Sequence, residues 1–185
     1  MHHSELLADP SRLRALRATG LLDRDPSPSL DRLVSLASRV VGAPVSLVSL
    51  VESDRQFFAS QVGLAMPYSQ GRETPLSHSF CKLVVESGEA LVISDAHTDP
   101  RVAGNPAIED LHIRAYAGVP LVEDDSSMVL GSFCVIDDQP REWSDDDLEI
   151  LHDLAAAAMT EIRLRQANNE MARALDELKR QMSRA

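Results

Sequence analysis

Cys81 and Cys134 are the only thiols in the chain, so they are the first residues to ask for chemistry. Cys81 falls in the first turns of an expected helix, where a thiol can have a lowered pKa and become a redox or metal group. Its other reading is a small buried hydrophobe. Cys134 alternates with Phe133 and Val135 in an apolar run and reads as part of a buried strand. Neither belongs to a CxxC pair, so a structural zinc site is unsupported. His78, before Ser79 and Phe80, could donate to an anionic ligand from a helix start, or serve as a cap or surface group. Arg101 follows Asp99-Pro100 in a loop. Its planar guanidinium suits a carboxylate or phosphate, or it fixes the loop through Asp95 or Asp99. His97, His112 and His152 share no ligand-like spacing and read as structural or exposed. No Ser-His-Asp arrangement, P-loop or metal motif appears, so the residues offer no catalytic centre.

These groups must be positioned by elements that the hydrophobic periods announce. Asp9-Pro10 is an N-cap followed by Pro at the first helical position, with Gly20 as the stop. A polar, proline-containing linker over residues 23–28 leads to an amphipathic helix from about Ser29 to Val41. Pro44 to Val51 and Gln56 to Gly63 read as strands of one hairpin, and Leu64 to Thr74 as loop. Ser77, as N-cap, opens a helix to Glu86, and Ala90 to Ser94 is a short strand. Asp95 to Gly104 is loop, and Asn105-Pro106 restarts one or two helical turns. His112 to Leu121 and Met128 to Ile136 form a second hairpin around the acidic turn 123–127.

Ser144 and three following carboxylates open the last helix, which meets no Gly or Pro up to about Arg184. At 1.5 Å per residue it extends roughly 60 Å, more than one small domain can cover. Trp143 reads as an anchor for the start of this helix. Leu148, Leu151, Leu154, Ala155 and Ala158 form a broad face for packing on the domain. Beyond Ile162 the pattern narrows to Leu164, Asn168, Met171, Leu175, Leu178 and Met182, at spacings of 4, 3, 4, 3 and 4. That is the a/d seam of a two-stranded coiled coil with Asn168 at an a position, where Asn fixes register. The expected divisions are an N-terminal helix and linker (1–28), a domain (29–160) and a signalling helix (161–185). The fold class is α+β: a central antiparallel sheet of five or six strands. N- and C-terminal helices lie on one face, and short helices and loops form a pocket on the other.

Composition narrows the partners. At 185 residues and 44% hydrophobic content the chain can bury a sizeable core. A net charge of -11 opposes a nucleic-acid partner or an anionic membrane surface. The acidic runs 123–125, 137–138 and 145–147 read as solvated turns and a helix start. No apolar run is long enough to span a bilayer, and the N-terminus lacks the features of a signal peptide. A soluble, cytoplasmic location with reduced thiols is therefore expected.

Six motifs then carry a resemblance. They are Gly20-Leu21-Leu22-Asp23, Asp54-Arg55-Gln56-Phe57-Phe58, residues 73–81 (Glu73 to Cys81), Asp99-Pro100-Arg101, residues 116–121 (Tyr116 to Leu121) and residues 131–137 (Gly131 to Asp137). In this order, over nearly the whole chain, they resemble GAF domains of the kind fused to bacterial histidine kinases, diguanylate cyclases and phosphatases. The resemblance implies a pocket between the sheet and the middle helices, lined here from His78, Phe80, Cys81, Asp95, Arg101, Tyr116 and Phe133. It leaves the ligand unknown. Bilin-binding members hold the chromophore by a Cys before the fourth strand, and residues 95–117 contain none. Cyclic-nucleotide-binding members share an Asn-Lys pair, whereas Asn105 is followed by Pro106.

The resulting expectation is a sensory or regulatory module that passes a conformational change through a homodimeric C-terminal helix. The receiver would be a kinase, cyclase or phosphatase output domain, in cis or in trans. One alternative is a ligand-free scaffold for dimerisation and partner docking. Another is a thiol-based enzyme, because one GAF-like family reduces free methionine sulfoxide with cysteines. Cys81 and Cys134 supply two thiols for that chemistry, but the loop before the fourth strand lacks the cysteine expected there.

Overall fold

The computed structural model describes residues 3–123 and 126–183. The centre of the expected acidic turn, residues 124 and 125, and the expected helix end at Arg184 lie outside the described residues. The elements in chain order are α1 (His3–Leu7), α2 (Pro10–Ala18), α3 (Pro28–Ala37), β1 (Val45–Val51), β2 (Arg55–Val62) and α4 (Tyr68–Gly71). There follow β3 (Glu73–Pro75), α5 (Cys81–Ser87), β4 (Leu91–Ile93), α6 (Ala107–Asp110), β5 (Ala115–Val122), β6 (Val129–Asp137) and α7 (Asp145–Met182). The strands form one six-stranded antiparallel sheet in the order β3-β2-β1-β6-β5-β4. Both expected hairpins are present, and β1 and β6 meet at the centre.

Period-2 alternation divides the core into two layers. On one face Val48, Leu50, Val119, Phe133 and Val135 pack against Leu16 of α2, Leu30 and Val34 of α3, and Leu151, Ala158 and Ile162 of α7. On the other face Leu47, Val51, Phe58, Tyr116, Cys134 and Ile136 pack against Cys81, Val84 and Val85 of α5 and Ala107 and Ile108 of α6. α1, which the sequence reading did not include, adds Leu7 to this second layer. Between the layers Arg12 is buried, donating to the carbonyls of Val51 (2.8 Å), Leu7 (2.7 Å) and Leu6 (3.2 Å). A buried cation so placed bonds three carbonyls at once and pins α1 and α2 to the end of β1.

Two local readings are corrected. The stretch 64–74, expected as loop, contains α4 and the start of the edge strand β3. The helix expected from Ser77 begins at Cys81, after a single 3₁₀ turn over Leu76–His78. Ser79 rather than Ser77 caps it: the Ser79 hydroxyl accepts from the Lys82 amide at 3.0 Å and donates to Gln56 Oε1 at 2.6 Å. That tie to β2 fixes an extended backbone at Ser79 and forces the break.

α7 is anchored at its start, and its second half is exposed among the described residues. Ser144 and Asp147 form a reciprocal capping box. Trp143 donates from Nε1 to the Ile93 carbonyl at 3.1 Å, and the Arg141 guanidinium stacks on its ring at 4.5 Å. The first half of α7 packs on α3, β5 and β6. Gly20 adopts a left-handed conformation beside Asn169, so the turn after α2 meets α7 where it leaves the sheet. Among the described residues no helix is long and apolar enough to cross a membrane.

Candidate functional site

The cavity lies between the second face of the sheet and the segments that cover it. Leu47, Gln56, Phe58, Tyr116 and Ile136 come from the strands, and Phe80, Cys81 and Ile113 from the cover. The partly exposed Val45, Leu64, His78 and Leu111 complete the lining. Its volume is about 30 Å³, space for one or two waters. The walls are mainly apolar, with Gln56, His78, Cys81 and Tyr116 as the polar groups.

Each polar group is held by its own partners. Gln56, buried on β2, accepts at Oε1 from the hydroxyls of Ser79 (2.6 Å) and Ser49 (3.4 Å). His78 places Nε2 2.9 Å from Asp110 Oδ2 and Nδ1 3.0 Å from Ser77 Oγ, which joins the 3₁₀ turn to α6. Tyr116 tilts against Phe80, with ring centroids 5.5 Å apart. Its hydroxyl donates to Cys81 Sγ at 3.3 Å and lies 3.2 Å from Ser132 Oγ.

Behind the cavity wall the two thiols touch. Cys81 Sγ and Cys134 Sγ are 3.9 Å apart, and both residues are buried. Gly118, opposite Cys134 in the ladder, leaves room for the Tyr116 hydroxyl beside them. The hydrogen bond from Cys134 holds the Cys81 thiol below its usual pKa range, and the Tyr116 hydroxyl adds to the effect. Burial pushes the Cys134 thiol up. Burial, followed by the charge of the neighbouring sulfurs, raises Tyr116. Burial opposes the lowering at Cys81, and the donor to its sulfur that the geometry fixes is the Tyr116 hydroxyl at 3.3 Å.

Of the seven residues expected to line a pocket, four do: His78, Phe80, Cys81 and Tyr116. Phe133 is corrected to the opposite face. It is one residue out of phase with Ser132 and Cys134, so the strand pleat turns it into the layer under α3 and α7. Asp95 is bound in a two-pronged pair to Arg114, at 3.1 Å on each contact, outside the lining. Arg101 bonds Asp99 (Nε to Oδ1, 3.0 Å) and the Val92 carbonyl (2.6 Å), and borders a separate surface hollow with Leu83 and Leu91. Arg114, Arg101 and the carboxylates facing them thus fix the loop. Sequence reasoning missed Gln56, Ser79 and Ser132. The signal was there for Ser132, which alternates in phase with Cys134 and Ile136, and for Gln56, an amide inside an apolar strand.

Along α7, Leu164, Met171, Leu175, Leu178 and Met182 are 51–73% exposed, and Asn168 is exposed among them. Among the described residues, no group of three or more His, Cys, Asp or Glu is placed to hold a metal ion.

The comparisons with known proteins agree on this architecture. A cyclic di-GMP phosphodiesterase of Pseudomonas aeruginosa is 30% identical over 161 residues, covering 86% of this chain and 26% of the relative. The chain therefore spans about a quarter of that protein's length. The GAF domain from an Acinetobacter phosphoenolpyruvate-protein phosphotransferase matches with a TM-score of 0.61 at 22% identity, covering 88% of this chain and 99% of that one. A free methionine-R-sulfoxide reductase from Neisseria meningitidis, solved with its substrate, matches at 0.59 and 17% identity, covering 85% and 91%. At those identities the two structures share a fold with this chain, and a fold does not carry an activity. The model of the GAF domain family matches residues 25–162, which contain all six strands and the first part of α7, and the chain belongs to that family.

Proposed function

We propose that this GAF domain is a regulatory module whose cavity responds to a small molecule and whose C-terminal helix carries the response. The observation that supports it most is α7 itself. One continuous helix is anchored on the sheet through Ile162 and then exposes a ridge at a/d spacing. An isolated helix has no reason to display Leu164, Met171, Leu175, Leu178 and Met182 on one line in water. Two copies joined along that line bury it, with Asn168 setting the register. Any ligand that favours one packing of α5 against the sheet then shifts the shared stalk by its differential affinity. The receiving partner is an output domain in cis or in trans, the arrangement suggested by the much longer phosphodiesterase relative. No catalytic turnover is assigned to this chain; methionine sulfoxide reduction that vanished in Cys81→Ser would replace this reading.

The small cavity favours a second reading in part. At about 30 Å³ it falls far below the ~300 Å³ of an ordinary ligand pocket, as a scaffold without ligand would have it. Native mass spectrometry of freshly purified protein separates the two. A dimer carrying extra mass that leaves on denaturation supports the sensor, and a dimer of bare chains supports the scaffold.

A further inference from the structure

The thiol pair stands whether or not the cavity takes a regulatory ligand. The geometry points to Cys81 and Cys134 as a two-thiol oxidation site for hydrogen peroxide, ending in a disulfide between α5 and β6.

Four observations converge. The sulfurs are already in van der Waals contact at 3.9 Å, and a bridge needs them at about 2.05 Å, a movement of roughly 1 Å by each. Only Cys81 of the two lines the cavity, so it meets the oxidant and Cys134 resolves from behind the wall. The cavity volume suits a molecule little larger than water and leaves no space for methionine sulfoxide. The Tyr116 hydroxyl donates to Cys81 Sγ at 3.3 Å, and a donor on that sulfur favours the nucleophilic thiolate.

The steps balance. Cys81 thiolate attacks one peroxide oxygen, the O–O bond breaks, and Cys81 becomes a sulfenic acid. The departing hydroxide takes the proton of the Cys134 thiol and leaves as water. The Cys134 thiolate attacks the Cys81 sulfur, forms the S–S bond and expels hydroxide, which takes a solvent proton. Two sulfurs lose two electrons, peroxide gains them, and two waters result.

The test uses the full chain, reduced and then treated with hydrogen peroxide in the native state, followed by alkylation under denaturing conditions and peptide mapping. The expected result is loss of both alkylatable thiols, a Cys81–Cys134 link within one chain, and their return on adding dithiothreitol. In Cys134→Ser the reaction is expected to stop at a Cys81 sulfenic acid trapped by dimedone; if that variant does not fold, the native chain alone decides. Two thiols still alkylatable after peroxide, a link found only between chains, or bridging by methionine sulfoxide but not by peroxide would each overturn the assignment.

Discussion

At Gly118 and Gly131 a single missing methyl group decides what the sheet can hold. A Cβ at Gly118 would stand 2.2 Å from the Tyr116 hydroxyl, 2.6 Å from its ring carbon Cζ and 2.7 Å from Ser132 Oγ, all side-chain atoms. A Cβ at Gly131 would stand 1.9 Å from the Ser49 carbonyl, which is backbone in the neighbouring strand. Gly118→Ala is therefore expected to destabilise the chain by about 1–3 kcal/mol, as overpacking does, and to displace Tyr116 from Cys81. Gly131→Ala is expected to cost more, because the β1–β6 ladder itself must shift. Urea titrations of the two variants check the order; equal midpoints would contradict it. Both glycines lie in motifs quoted from the sequence, yet their reasons are tertiary. The same limit explains Cys134, legible as a buried strand residue but not as the partner of Cys81, because contact across 53 positions leaves no local trace.

At the scale of elements, local chemistry was legible where the chain settles its own ends. Asp9 accepts from the amides of Ser11 and Arg12, and Ser144 caps α7, as their types and the following residues suggest. Ser144→Ala removes the cap and one side of the capping box. It is expected to cost about 1 kcal/mol, read as a lower urea midpoint with an unchanged slope. A drop in slope instead would show that α7 had detached from the sheet. Elements defined by their neighbours were less legible. β3 is an edge strand of three residues that exists because β2 offers unpaired groups, and nothing in Glu73-Thr74-Pro75 announces it. The start of α5 is likewise set by Gln56 on β2, through the Ser79 hydroxyl. The candidate pocket was half legible for the same reason. His78, Phe80, Cys81 and Tyr116 border the cavity, whereas the place of Phe133 depends on strand phase, and those of Asp95 and Arg101 on which partner claims each charge.

At the scale of the molecule, the two faces of the sheet have different tasks. One is a packed layer that grips α7, and the other holds the small cavity and the thiols. β1, β5 and β6 contribute to both, so α5 and α7 pack on opposite faces of the same strands. Little tertiary contact supports the exposed second half of α7, so within the described chain its stability rests on local helix formation. The proposed signalling route requires the ridge to be an interface. Sedimentation equilibrium of the full chain, alone and as the Met171→Asp/Leu175→Asp double variant, tests this most directly. The account predicts a dimer, twice the 20.3 kDa chain mass, that becomes a folded monomer in the variant. A native chain that stays at its single mass at every concentration, or a variant that remains as dimeric as the native chain, would contradict it.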